Sequence, residues 1–280
     1  MARTGIMLCH PFDEKRLSRW RVPYVLVQPK LDGERCRTII ENNEVILLSS
    51  EQNEILSVPH INEGLRDLKL GTCELDGELY THDSNFNSIS SIVGRTVNLH
   101  PDFESVSLNI FDVVNNLQQA DRTRWLSKFP QSPWISVLDT DLISINQIED
   151  YLEKYKEENY EGIIIRHPYG CYERKRSNFI MKFKPKKQDI YKIIGWEEAI
   201  SEDGTPLKRI GSLWCEKDGE KFKVSCGATD HATLRRWFRN PGYLLEMYAN
   251  VHYQNLTPGR QIPRFGRMNL EIDLMESELV

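Results

Sequence analysis

A lysine, a carboxylate and a turn glycine stand within four residues at Lys30-Leu31-Asp32-Gly33, just after the apolar run Tyr24-Val25-Leu26-Val27. A lysine becomes a nucleophile only when its site removes its proton, and with a pKa of about 10.4 only about 0.1% of free lysine is unprotonated near neutral pH. Asp32 should hold that proton on, so the segment needs positive charge from elsewhere in the chain. Lys182-Phe183-Lys184 can supply it. On a strand both ammonium groups share a face, suited to a phosphate and able to lower the pKa of a third lysine by like-charge repulsion. Glu74-Leu75-Asp76-Gly77-Glu78 would crowd three carboxylates on one strand face. That pattern calls for a cation or hydroxyl donors, or else marks a solvent-facing edge. Glu161-Gly162-Ile163-Ile164-Ile165-Arg166 sets a carboxylate at the mouth of a buried strand and an arginine at its end.

The rest of the chain must position these groups. Its 280 residues are 40% hydrophobic and 28% charged, the composition of a globular protein with a real core. A net charge of −5 argues against wholesale polyanion binding. Three local basic clusters still allow a nucleic-acid track: Arg174 to Lys187, Arg235 to Arg239, and Arg260 to Arg267. No stretch is long and apolar enough to span a bilayer, and the first residues lack a signal core. Six scattered cysteines without a C-x-x-C pair read as reduced thiols rather than a zinc site. The expectation is a protein of the cytosol, the host's if a virus encodes it.

Hydrophobic periodicity predicts strands near 25–28, 35–40, 45–49, 73–80, 105–114, 162–166 and 179–184. It predicts helices over 59–68, 85–93 and 146–159. After Lys187 the pattern changes to short strands at 190–196, 210–216, 221–226 and 244–252, with one helix at 230–239 capped by Thr229 or Asp230. The expected fold is α+β for residues 1–188, followed by a small all-β barrel of the OB type at 189–280.

In order, the chain carries Lys-x-Asp-Gly, Asp-Gly-Glu, Phe111-Asp112, Glu-Gly-Ile-Ile-Ile-Arg and Lys-Phe-Lys. This series resembles the covalent nucleotidyltransferase superfamily of DNA ligases, RNA ligases and capping enzymes, and most of all the small viral and phage ATP-dependent DNA ligases. The resemblance runs from Pro29 to about Gly266 and implies an ATP-grasp-like adenylyltransferase domain ahead of the barrel. It makes Lys30 the nucleophile that takes AMP from ATP, and makes Asp32 and Glu161 ligands of Mg²⁺ or Mn²⁺. It places Glu78 and Arg35 at the ribose, Phe111 on the adenine, and Lys182 and Lys184 on the AMP phosphate. Arg176 would contact the 5′-phosphate of the nick, Arg35 would reach that phosphate as well as the ribose, and Arg264 and Arg267 would also face nucleic acid. The implied reaction seals a 5′-phosphate/3′-hydroxyl nick in duplex DNA through lysyl-AMP and an adenylated 5′ end, in a monomer. RNA joining, capping-type transfer and a catalytically dead nucleic-acid-binding module are the alternatives. ATP is preferred to NAD⁺ because only 29 residues precede Lys30.

The chain departs from the family in three places. Ser49-Ser50-Glu51 lacks the arginine that relatives carry there, so Arg35, Arg37 or another basic residue must replace a phosphate contact. Pro263-Arg264-Phe265-Gly266-Arg267 begins the C-terminal basic motif, but Met268-Asn269-Leu270-Glu271 does not continue it. The gap between Trp196 and Ile210 leaves room for little more than a turn, not for a long DNA-clamping hairpin.

Overall fold

The chain begins with two elements that its hydrophobic pattern does not announce, strand β1 (Leu8–Pro11) and helix α1 (Glu14–Trp20). The Asp13 carboxylate caps the helix, accepting the Lys15 N–H at 2.8 Å. The computed structural model describes residues 5–276 except 83, 131, 186, 227, 228, 254, 258, 265 and 269–273. Two compact units result, Met1–Pro185 and Lys186–Val280, against an expected boundary after residue 188.

The first unit continues with β2 (Tyr24–Lys30), β3 (Glu34–Glu41), β4 (Glu44–Leu48), α2 (Pro59–Asp67), β5 (Cys73–Tyr80), α3 (Phe86–Val93) and β6 (Ser107–Val113). Then come α4 (Gln119–Leu126), β7 (Ile135–Val137), β8 (Asp141–Ser144), α5 (Ile148–Glu157), β9 (Gly162–Arg166) and β10 (Arg176–Phe183). They form two five-stranded sheets, ordered β1-β10-β9-β2-β8 and β4-β3-β5-β6-β7. The β2 run Val25-Leu26-Val27 is buried because β2 lies inside its sheet, between β9 and β8. Helix α5 packs Ile148, Leu152 and Tyr155 against Val25, Val27, Ile163 and Ile165 of that sheet. Helices α2 and α3 bury Ile61, Leu65, Ile89 and Ile92 with Leu75, Leu79, Leu108 and Ile110 of the other sheet.

Two glycines are required by close approach. A Cβ on Gly33 would lie 2.3 Å from the Leu79 carbonyl oxygen, and one on Gly162 2.3 Å from that of Phe183. Gly162 also has φ +149°, a value that side-chain-bearing residues rarely adopt. Both glycines adjoin the functional residues, and any larger residue would push the strands carrying them apart.

The second unit comprises β11 (Lys187–Ile200), β12 (Pro206–Lys217), β13 (Glu220–Ser225), α6 (His231–Arg239), β14 (Met247–Tyr253), β15 (Asn255–Leu256), β16 (Pro263–Arg264) and β17 (Leu274–Glu276). Asp230 caps α6, accepting the N–H groups of Ala232 and Thr233. Leu213, Phe222, Val224, Leu234, Trp237 and Val251 share its core. The mixed α+β class holds. Among the described residues, however, the main sheet has the open order β13-β12-β11-β14-β17, and no closed barrel forms. The region between Trp196 and Ile210 also differs from the expectation of little more than a turn. β11 runs on to Ile200 and β12 starts at Pro206, making an extended hairpin. Polar residues such as Glu197 and Glu198 interrupt the apolar alternation there and conceal the strands.

Candidate active site

Three adjacent strands bring the key side chains to one end of the first sheet. β2 ends at Lys30, β9 begins at Gly162 opposite it, and β10 runs antiparallel to β9 so that its last residues return to the same end. The Glu161 N–H donates to the Lys30 carbonyl at 3.1 Å, fixing the two backbones together. Glu161 then bridges two ammonium groups: Lys30 Nζ donates to Oε2 and Lys184 Nζ to Oε1. Lys30 Nζ also donates to the Leu31 carbonyl at 3.0 Å.

This geometry corrects the electrostatic expectation for Lys30. Burial favours loss of its proton, but the carboxylates of Glu161, Glu78 and Asp32 outweigh that and hold its pKa above the ordinary lysine value. Burial raises the Glu161 carboxyl too, yet Lys30 and Lys184 outweigh it and keep the group below the usual carboxylate range. Lys182 is the depressed lysine, through burial and then repulsion from Lys184 and Lys30. Lys184 is tied to the shared carboxylate, so the pair Lys182/Lys184 does not act on Lys30 as a single repelling unit.

The second sheet supplies the other wall. Arg35 on β3 faces Glu78 on β5 in register, and Phe111 lies on β6 next to β5. The three carboxylates of β5 have separate fates. Glu74 pairs with Arg174 at 2.6 Å and Arg37 at 2.9 Å. Asp76 is fully buried and takes Arg35 at 2.6 and 2.5 Å and the Tyr172 hydroxyl at 2.5 Å. Glu78 has no hydrogen-bond donor among the described residues, and burial above all raises its pKa to about 7. Arg35 and Lys30 pull that value down, while Asp76 and Glu161 push it up. The Arg35 guanidinium lies 4.6 Å from the centroid of the half-buried Phe111 ring, and that of Arg166 lies at 5.5 Å. One carboxyl that is easily neutralised, one aromatic ring and a cluster of ammonium groups therefore line this part of the unit.

Because Glu78 is raised in the folded protein, its contribution to stability is complete below the ordinary carboxylate pKa and is lost as pH climbs through about 7. The expected result is that Glu78→Gln shows a smaller loss of stability than the parent between about pH 5 and about pH 8, read by chemical denaturation.

Beneath Phe111 lies a buried network that motif reading did not assemble. Asp112 accepts from Arg122 Nε and Arg166 Nη1, both at 2.7 Å. The Gln119 oxygen accepts from both arginines, at 2.5 and 3.1 Å, and the Gln28 oxygen from Arg166 at 2.7 Å. Gln28 in turn donates to the Phe111 carbonyl at 3.0 Å. A legible signal existed: Leu108, Ile110 and Asp112 occupy the inward positions of one alternating strand, so Asp112 is a charge in a core position.

The remaining candidates are distributed as follows. Asp32 sits in the turn after Lys30. Arg176 opens β10, exposed, and donates to the Cys9 carbonyl. Arg264 and Arg267 belong to the second unit, where Arg267 exchanges backbone bonds of 2.8 Å with His252. Phe265 and residues 269–271 of the altered motif lie outside the described residues. No arginine of β3 stands ready to replace the one missing at Ser50, since Arg35 is held by Asp76, and Arg37 by Glu74 and Gln52. Glu161 and Asp32 are oxygen donors of the kind that hold a hard divalent cation together with substrate phosphates, so the donor set fits one. Glu161 would have to release at least one lysine to serve.

Residues 6–184 match the family described as ATP dependent DNA ligase domain. A DNA ligase of Haemophilus influenzae is 26% identical over 233 residues, covering 81% of this chain and 79% of that protein. A DNA ligase of African swine fever virus is 26% identical over 268 residues, covering 85% of this chain and 61% of the viral enzyme. A solved structure from work on Lig E DNA ligases shares the fold with a TM-score of 0.71 at 21% identity, covering 94% of this chain and 97% of that one.

Proposed function

The chain belongs to the ATP-dependent DNA ligase domain family, and from this we propose that it seals nicks through an AMP carried on Lys30. The observation that carries the assignment of Lys30 is its meeting with Glu161 and Lys184 at one sheet end. In the first step the Lys30 amine attacks the α-phosphate of ATP; a P–N bond forms and the bond to pyrophosphate breaks. Lys30 must first give up the proton that Glu161 favours, and the incoming triphosphate competes with Glu161 for Lys184. Lys182, already biased toward losing its charge, gains a partner when a phosphate arrives. In the second step a 5′-phosphate at the nick takes the AMP. In the third the neighbouring 3′-hydroxyl attacks and AMP leaves. A magnesium ion held by Glu161 and Asp32 would supply charge neutralisation at the phosphates. Phe111 would stack on the adenine. Glu78 would accept from the ribose, a role that an unpartnered carboxyl can fill.

We place the second unit in the OB class because residues 266–268 bond both to Ser225 at the end of β13 and to His252 of β14, the contacts that would draw an open sheet toward closure. All the adenylation residues come from one unit of one chain, which supports a monomer. The six unpaired cysteines suit a reducing cytosol, and no described helix is long and apolar enough to cross a membrane.

The test is to incubate the protein with labelled ATP and Mg²⁺, and then to add nicked duplex DNA. Acid-stable label on the chain, discharged by nicked DNA with sealing, is expected. Lys30→Ala should carry no label. An unlabelled parent protein overturns the enzyme reading, label persisting in Lys30→Ala overturns the nucleophile, and discharge by nicked RNA alone favours RNA joining.

A further inference from the structure

Arg35 belongs to a closed ring of hydrogen bonds drawn from distant parts of the first unit. Its Nε and Nη2 donate to the two oxygens of Asp76 at 2.6 and 2.5 Å. Nη2 also donates to the Met7 carbonyl at 3.2 Å. The Met7 N–H donates to the Tyr172 hydroxyl at 3.0 Å, and that hydroxyl donates to Asp76 Oδ2 at 2.5 Å. Met7 stands just before β1, Arg35 on β3, Asp76 on β5 and Tyr172 in the connection from β9 to β10. Burial above all, and then the Asp76 charge, raise the Tyr172 pKa, so its hydroxyl stays a donor at neutral pH.

The geometry gives Tyr172 more than a packing role. The last torsion of an aspartate side chain is broad, so Asp76 and Arg35 alone could turn together as one planar pair. The Tyr172 hydroxyl on Oδ2 and the Met7 carbonyl on Nη2 hold that pair from both ends. These bonds occupy Nε and Nη2, and among the described residues Arg35 Nη1 meets no acceptor. The ring therefore leaves one edge of the guanidinium, with two N–H groups, open to a substrate. The same guanidinium lies 4.6 Å from the centroid of Phe111, so any turn of the pair would also change the space beside that ring.

We infer that Tyr172, acting through Asp76 and Met7, is a positioning residue that aims the Nη1 edge of Arg35 at the substrate. This rests on the ligase reading above. The Arg35–Asp76 pair supplies the donors, and Tyr172 fixes their direction. Its hydroxyl is spent on Asp76 and Met7, while its ring lies 5.8 Å from the Arg122 guanidinium. A phenylalanine in its place keeps the ring contact and removes only the hydroxyl. Arg35 would then keep its charge and its carboxylate but lose its fixed aim, a loss felt in the transition state more than in binding.

The experiment follows lysyl-AMP formation over a range of ATP concentrations in the parent, Tyr172→Phe, Arg35→Lys and the double variant. Tyr172→Phe should slow the step at saturating ATP about tenfold, the scale of a hydrogen bond to a charged group lost from the transition state. The ATP concentration giving half that rate should move less than about twofold, because the charge at Arg35 is unchanged. Arg35→Lys removes the planar fork that needs aiming, so adding Tyr172→Phe to it should cost little more. A Tyr172→Phe protein as fast as the parent, a change confined to the half-saturating ATP concentration, or a full second loss in the double variant overturns the positioning role. A second measurement needs neither ATP nor metal: exchange of the Arg35 Nε–H with water, followed by NMR, should be slow in the parent and several-fold faster in Tyr172→Phe. Equal exchange in the two proteins overturns the ring. The outcomes are therefore separate from the labelling test: a protein that takes no AMP refutes the ligase reading and leaves the exchange rates to judge Tyr172.

Discussion

Asp112→Ala protein is expected to melt about 10 °C below the parent. Asp112 and Arg122 are fully buried and Arg166 is 3% exposed, so one carboxylate compensates two guanidiniums out of reach of water. Removing one partner of a buried ion pair costs about 3–5 kcal/mol, because the charge left behind has no solvent. Here two charges are left. At about 2–4 °C per kcal/mol for a domain of this size, a shift near 10 °C follows. Gln119 and Gln28 still offer carbonyl oxygens to both arginines, which keeps the loss from growing further. Asp121→Ala breaks an exposed pair with Arg124 and should leave the melting temperature within about a degree. If the two variants melt alike, the network does not hold the charge attributed to it. The same substitution should also weaken nucleotide binding, since Gln28 links Arg166 to the Phe111 backbone.

Much of the first unit was legible because its strands are apolar or alternate strictly. Gly162–Arg166 and Cys73–Tyr80 end where the pattern ends, and helix α2 starts at its proline. Elements carrying little apolar signal were not legible: β1 has only Leu8 among larger aliphatic residues, and α4 (Gln119–Leu126) buries Gln119 and Arg122 beside Leu126. Their polar side chains break the apolar alternation by which a core-facing element is read. Lys30, Glu161 and Lys184 could be found by type and spacing, and their mutual arrangement follows from strand order. What spacing could not give was the pairing. Like-charge repulsion seemed the natural relation among three lysines, but one carboxylate at the turn before β9 intervenes between two of them. Nor could one-dimensional reading find Tyr172 on Asp76, a contact spanning 96 positions of chain.

Glu161→Gln is expected to reduce formation of lysyl-AMP by several orders of magnitude while making Lys30 easier to modify by a neutral amine reagent. The two effects oppose each other only if the lysine's proton is the whole difficulty. With the carboxylate neutralised, Lys30 loses the main charge holding its proton and remains buried, and Lys184 now repels it. Its free-amine fraction at a given pH therefore rises. Transfer of AMP still falls, because Glu161 is one of the two oxygen donors proposed above to hold a divalent ion, and because it aligns Lys30 and Lys184 through two charge-assisted hydrogen bonds. Lys184→Met should act in the reverse sense on modification: Glu161 is left to Lys30 alone, the proton is held more firmly, and labelling by the reagent slows. Peptide mapping of the reagent at Lys30 in the three proteins at one pH checks both directions. If Glu161→Gln slows both the reagent and AMP transfer, the carboxylate does not hold the proton. The bridge would then be a positioning device alone.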